Sequence, residues 1–227
     1  MITIPKLYRC IFCGRLKKHE NSYYNNERIG LCHECFSKLE LTPKPFSFEG
    51  TRGIDYLVSP IFYSGKIRNV IIDYKFHGNR AFSDILSYLL CDLTKDMIHL
   101  SKFDIVIPVP ISKHRYNERG YNQAALLAKP FAKYFNVPYS DDILLKIKET
   151  KRQSRISRAE RFTNVQGAFK ACENLTGRKI LLIDDIYTTG GTMSACADAL
   201  ISMGAKNIAG VSLTLTEKRK NIFNIMY

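Results

Sequence analysis

Residues 180–192 read ILLIDDIYTTGGT, and this stretch constrains the fold more than any other part of the chain. The apolar run 180–183 has the look of a strand buried on both faces, as strands of a parallel sheet are. Asp184 and Asp185 follow, and then Thr188, Thr189, Gly190, Gly191 and Thr192 lead into a helix with Met193, Cys196, Ala197, Leu200 and Ile201 on one face. Gly204 suits the end of that helix. A second apolar run, 207–216, completes a strand–helix–strand unit whose crossover should be right-handed. Ligands of such sheets bind beyond the carboxyl ends of the strands, where loops meet helix N-termini. There, threonine hydroxyls and closely approachable glycine amides cradle a phosphate without a lysine. The two aspartates offer acceptors for two adjacent sugar hydroxyls.

The preceding chain supplies partners for this unit. An extended run is expected over 55–63, then a helix with Ile67, Val70, Ile71 and Tyr74 in register. A second helix carries Phe82, Ile85, Leu86, Leu89, Leu90 and Leu93 on one face. Residues 103–109 read as a further buried strand that Pro108 and Pro110 end. A helix from about Asn117 aligns Tyr121, Ala124, Ala125 and Ala128, and Pro130 should stop or kink it. These alternations predict an open, mainly parallel sheet.

The first part of the chain is of another kind. Cys10 and Cys13 form one Cys-x-x-Cys pair and Cys32 and Cys35 a second, with 18 residues between the pairs. Each pair in a tight turn grips one side of a tetrahedral ion, and the intervening segment folds back to oppose the pairs, as in a zinc ribbon. Gly14 suits the first turn. His19 and His33 are not needed, because four thiolates already close the shell. A closed shell leaves no position for substrate, so this zinc is expected to be structural. Seven cysteines, an odd number, argue against a complete disulfide framework; Cys91, Cys172 and Cys196 read as filler. Residues 41–50, with Pro43 and Pro45, form the expected linker, which divides the chain into a metal module over 1–44 and a larger domain over 45–227.

Thirty-four Lys and Arg against 21 Asp and Glu leave a net charge of +13, which favours polyanionic partners. No run is long and apolar enough to insert in a membrane, and the first residues carry charges and a cysteine where a secretory segment needs an apolar stretch. A cytoplasmic protein is expected.

The 180–192 segment resembles the signature of type I phosphoribosyltransferases. Three further segments narrow the likeness to the ComF family, which includes ComFC-type competence proteins: FYSGKIRNVIIDYKFHGNR, with Tyr63, Gly65, Arg68 and Lys75; IPVPISKHRYNERGYNQA; and RQSRISRAERFTNVQGAF. With the paired cysteines in front, the resemblance spans nearly the whole chain. It implies an α/β fold: a type I phosphoribosyltransferase-like open parallel sheet with helices on both faces, preceded by a small zinc ribbon or finger.

That resemblance implies phosphoribosyl pyrophosphate (PRPP) as ligand. Asp184 and Asp185 would hold the ribose hydroxyls and serve any catalysis, the loop Thr188, Thr189, Gly190, Gly191 and Thr192 would hold the 5-phosphate, and Arg119 and Gly120 would face the pyrophosphate. Magnesium would accompany the pyrophosphate. Gln153, Arg158, Arg161 and Asn164 would flank the site. Asn79 stands where relatives often carry an acidic residue, so no carboxylate role falls there. The family is associated with natural transformation, acting in the cytoplasm on incoming single-stranded DNA with a ComFA-like ATP-dependent helicase. An alternative is an active phosphoribosyltransferase on an unidentified acceptor in metabolite use, without a DNA role. No residue identifies itself as a base for an acceptor, and whether transfer is catalysed stays open. Residues 146–161 hold seven basic and two acidic side chains, and Arg152, Arg155, Arg158 and Arg161 are candidates to contact either DNA or pyrophosphate. Residues 218–220 add a further basic cluster, and frequent tyrosines offer stacking surfaces.

Overall fold

The computed structural model describes residues 6–26, 28–42, 52–98, 102–149, 165 and 167–216. Its centre is a parallel sheet. Strands β5 (Tyr56–Val58), β6 (Ile61–Phe62), β7 (Ile105–Pro108), β10 (Lys179–Tyr187) and β11 (Asn207–Leu215) take the order β5-β11-β10-β7, with β6 beside the later part of β11. Strands β5 and β6 form one broken edge, interrupted at Ser59 and Pro60. A proline has no amide to give a ladder, so this is the edge where it is tolerated. Residues 40–42 close over that edge: the Thr42 amide donates to the Pro60 carbonyl, and the Phe62 amide donates to the Glu40 carbonyl.

The central strands alternate between two cores, because successive side chains of a strand point to opposite faces. Leu181 and Ile183 join the core built by helices α2 (Gly65–Phe76), α3 (Phe82–Thr94) and α5 (Gln123–Tyr134). Ile180 and Leu182 join the opposite core, under helix α6 (Gly191–Ile201) and the small hairpin of β8 (Leu144–Lys146) and β9 (Phe169–Ala171). Helices thus cover both faces, and no side of β10 is left to water. Gly210 lies in β11 where an added Cβ would come within 2.9 Å of Met193 Sδ, so its bare backbone lets α6 settle close to the sheet.

The expected apolar stripes are the ones that bury. Ile67, Val70, Ile71 and Tyr74 are the buried side chains of the first helix in the pair, and Ile85, Leu86, Leu89, Leu90 and Leu93 are buried along the second. Three boundaries differ from the sequence expectations. The helix anticipated from Asn117 is two pieces. Helix α4 (Lys113–Arg119) ends at Gly120, whose φ of 75° turns the chain left-handed, and α5 starts afresh where the Asn122 side chain accepts the Ala124 amide at 3.0 Å. Pro130 neither stops nor ends α5: it sits on the exposed face, where the carbonyl left without an amide can be hydrated, and buried Phe131 and Ala132 hold the helix onto its core. The strand expected to end at Ile183 continues through both aspartates to Tyr187, because β11 goes on pairing with it as far as Leu215.

The cysteine-bearing part forms its own four-stranded sheet from β1 (Leu7–Cys10), β2 (Leu16–Lys18), β3 (Ser22–Asn25) and β4 (Ile29–Cys32), in the order β2-β1-β4-β3, followed by the short helix α1 (His33–Phe36). Gly30 is confined by the Tyr24 carbonyl and the Tyr8 ring, which a Cβ would approach to 2.6 and 2.5 Å, so no other residue fits there undisturbed. The sheet docks on α3 through aromatic rings. Tyr24 stacks on Tyr88 with centroids 4.1 Å apart, and the Tyr23 hydroxyl donates to the Asp92 carboxylate, while Tyr23 also stacks at 3.7 Å on Phe36 of its own α1. Buried Tyr8 and Leu31 are continuous with the α2–α3–α5 core.

Candidate functional site

A cleft of about 910 Å³ opens beyond the carboxyl ends of β7 and β10. This is where an open parallel sheet presents loops and helix N-termini to a ligand. Val109 and Pro110 enter from the end of β7; Asp184, Asp185, Thr188, Gly190 and Thr192 come from the end of β10 and the start of α6. Gly190 caps α6 with φ 88°, a left-handed conformation that costs other residues strain, and the Ser194 amide donates to its carbonyl at 2.8 Å. The tight turn brings the first amides of an 11-residue helix to the cleft floor.

The two aspartates do not point the same way. They meet different neighbours, yet the Asp184 carboxyl still feels the Asp185 charge. Asp185, 2% exposed, turns toward α2, where Lys75 Nζ lies 2.7 Å from its Oδ2. Asp184 turns toward the α6 face and keeps some exposure to the cleft; its Oδ1 accepts the Asp185 amide at 2.8 Å. The packed walls around the Asp184 carboxyl, and next the neighbouring Asp185 charge, hold it well above the ordinary carboxylate range. Cys196 is wholly buried, and its thiol is pushed up by burial and by the Asp184 charge.

The opposite wall is cationic. Arg119 lies over the exposed Phe76 ring, 4.9 Å from its centroid, and one of its terminal nitrogens is buried without a hydrogen-bond acceptor among the described residues. Burial, and then repulsion by Arg115, lowers the affinity of Arg119 for its proton; the same two causes act in the same order on Lys146. Cations that raise one another's cost in this way form a place where an anion is stabilised. The wall is braced from behind. The Tyr121 hydroxyl donates to the Tyr74 carbonyl, and the Tyr74 hydroxyl donates to the Gln123 carbonyl at 2.8 Å, which ties the last turn of α2 to the start of α5.

Of the residues anticipated from the sequence, Asp184, Asp185, Thr188, Gly190, Thr192 and Arg119 line this one cleft. Thr189, Gly191 and Gly120 adjoin it without lining it; Gly120 supplies the turn that ends α4. Arg152, Arg155, Arg158 and Arg161, with Gln153 and Asn164, fall outside the described residues, as do 218–220 and most of the expected linker. Sequence reasoning did not single out Arg115 or Lys146 for the cleft, nor the pairing of Lys75 with Asp185. Their elements are far apart along the chain, and only the sheet order brings them together.

Away from the cleft, the ligand atoms of Cys10, Cys13, Cys32 and Cys35 all lie within 4.8 Å of one another. The Gly14 amide donates to the Cys10 carbonyl at 2.8 Å in the first turn, with Gly14 at φ 70°, and Cys32 caps α1 so that Cys35 faces back. Four thiols so gathered can hold one metal ion. No helix among the described residues is long and apolar enough to cross a membrane.

The chain is similar to several known proteins. The family model described as "Phosphoribosyl transferase domain" matches residues 122–222. Competence protein F of Haemophilus influenzae is 27% identical over 219 residues, which cover 88% of this chain and 94% of that one. Competence protein ComFC of Bacillus subtilis is 31% identical over 145 residues, 63% of this chain and 56% of that one. The DNA utilization protein YhgH of Escherichia coli K12 is 26% identical over 155 residues, 66% of this chain and 67% of that one. Among solved structures, adenine phosphoribosyltransferase from Saccharomyces cerevisiae aligns at 15% identity over 67% of this chain and 78% of its own, with a TM-score of 0.41.

Proposed function

Because the chain belongs to the ComF family, whose members competence protein F, ComFC and YhgH it resembles alongside the phosphoribosyl transferase domain, we propose that its cleft binds PRPP with magnesium and that it serves natural transformation. The observation that carries the ligand is the junction of β10 and α6. Two carboxylates stand among the last four residues of the strand, and a threonine- and glycine-rich turn presents helix amides after them. In this reading the loop from Thr188 to Thr192 takes the 5-phosphate, with Thr189 and Gly191 contributing through the backbone turn. Asp184 and Asp185 take the ribose hydroxyls, and the cationic wall of Arg119, with Gly120 setting its position, takes the pyrophosphate.

The donor set fits magnesium: carboxylate oxygens are the hard ligands that ion prefers, and it binds by one or two of them together with ligand phosphates. Bound there, it would neutralise the charge that grows on a departing pyrophosphate. The thiolate cluster fits zinc, which four cysteines hold in a closed, structural site.

Calorimetric titration of PRPP with magnesium tests the pocket. One site per chain is expected for the native protein, and none for a folded variant carrying Asp184→Ala, Asp185→Ala and Thr189→Ala together. Failure of the native protein to bind would reduce the cleft to a relict.

The cellular role proposed is cytoplasmic handling of incoming single-stranded DNA beside a ComFA-like ATP-dependent helicase. The excess of 34 basic over 21 acidic residues supports contact with a polyanion, and the arginines of 152–161 are candidates for it. If phosphate contacts drive that binding, the logarithm of affinity should fall with the logarithm of salt, by roughly 0.7 per phosphate neutralised. A salt-independent affinity in a filter or anisotropy assay would remove the electrostatic basis of the DNA role.

A further inference from the structure

Asp185, a carboxylate that sugar binding would need, already has a partner. Lys75 Nζ stands 2.7 Å from Asp185 Oδ2, with the lysine side chain 18% exposed and the aspartate 3%. The approach is close but not aligned as a hydrogen bond: among the described residues Oδ2 has no partner of hydrogen-bonding geometry. Charge attraction without alignment leaves the hydrogen-bonding capacity of this buried oxygen unused, so a well-directed hydroxyl that displaces the ammonium can take it. Displacing the ammonium has a cost, because a largely buried cation that loses its counter-ion must find another or be hydrated.

The surroundings limit where Lys75 can go. It sits in the last turn of α2, which the Tyr74–Gln123 and Tyr121–Tyr74 hydrogen bonds tie to the start of α5. The next residue, Phe76, lies under the Arg119 guanidinium. A short swing of the lysine side chain therefore stays within the cleft, on the side that Arg119 also lines.

We propose that Lys75 is a specificity-determining residue that yields Asp185 to the sugar hydroxyls only when the ligand brings an anionic group for its ammonium to pair with. The inference rests on the PRPP reading of the cleft. It gives the site a means to reject ribose 5-phosphate, which offers the same hydroxyls and the same 5-phosphate but no pyrophosphate. For that ligand, freeing Asp185 strands the Lys75 charge; for PRPP, the ammonium moves from one counter-ion to another. Hydroxyl recognition and pyrophosphate recognition become one event.

The test is calorimetric titration of PRPP and of ribose 5-phosphate, each with magnesium at one ionic strength, into native protein, Lys75→Met and Lys75→Arg. Lys75→Met should weaken PRPP about tenfold or more, the scale of a lost charge-assisted contact. It should leave ribose 5-phosphate unchanged or tighter, so the preference between the two falls by the same factor. Lys75→Arg, which keeps the charge, should restore most of it. A lysine that only supports the fold would instead weaken both ligands together and leave their ratio unaltered, and that result overturns the proposal. Where Lys75→Met does not fold, Lys75→Gln keeps a donor beside the carboxylate and carries the same comparison. Native protein that binds neither ligand refutes the PRPP reading itself, whereas native binding with an unchanged ratio refutes only the role given to Lys75.

Discussion

Cys10→Ser should abolish metal binding by the cysteine cluster and, with it, the whole N-terminal sheet. Cys10 closes β1, its amide donates to the Arg15 carbonyl, and its sulfur stands in a group of four spanning no more than 4.8 Å. Structural zinc contributes about 10–16 kcal/mol of apparent binding free energy in small peptides, against a total stability of about 5–15 kcal/mol for an ordinary domain. The strands around the cysteines have four, three, four and four residues, too short to hold a sheet by ladder bonds alone. Loss of the ion should therefore release β1 to β4 together. The damage should extend to α3, because Tyr8 and Leu31 share its core, Tyr24 stacks on its Tyr88 and the Tyr23 hydroxyl donates to its Asp92. Elemental analysis should find about one zinc per native chain and none in the variant, and the variant should melt at a lower temperature with its tyrosines exposed. Native protein that purifies gently without metal, together with a variant that melts unchanged, would dispose of the metal site.

The gathering of the four cysteines is legible in the sequence because metal-ligand spacing falls on neighbouring residues. Two Cys-x-x-Cys pairs need only the chain to fold back once. The helix faces are legible for a similar reason: Ile67, Val70, Ile71 and Tyr74 follow a local period, and a local period survives whatever packs against it. The strand end at β10 escapes local reasoning because its length is decided by a partner. Aspartates read as loop until β11 is known to run alongside as far as Leu215. Pro130 does not settle where α5 stops, because a proline's effect on a helix depends on which side faces water, which the sequence near it does not state. The Lys75–Asp185 pair lies beyond sequence reasoning altogether. Lys75 stands out in a family-like pattern, yet its counter-ion depends on α2 lying against the end of β10. Arg115 and Lys146 enter the cleft by the same kind of long-range placement.

Asp184→Asn should separate stability from binding. The native carboxyl is held well above its ordinary value, by burial first and by the Asp185 charge second. Between the ordinary carboxylate value and the raised one, the folded protein keeps a proton that the unfolded chain has released. The native state binds more protons there, so stability falls as pH rises through that window and stays lower above it. Asparagine is neutral at every pH, and its side-chain oxygen can still accept the Asp185 amide that Asp184 Oδ1 accepts now. The variant should therefore lose that pH dependence and melt higher at neutral pH, by roughly 2–4 °C for each kcal/mol relieved in a chain of this size. PRPP binding should move the other way. If the ionised carboxyl accepts a ribose hydroxyl beside magnesium, native affinity should strengthen as pH rises through the raised value, and Asp184→Asn should bind little or nothing at any pH. Melting curves and titrations across about pH 5–8 on both proteins would decide it. A variant less stable than native protein at the alkaline end would mean that Asp184 does not carry a strained charge, and a variant that still binds would mean that the hydroxyl acceptor lies elsewhere in the cleft. A variant both more stable and unable to bind is the expected pattern for a protein that keeps a costly carboxylate for its ligand.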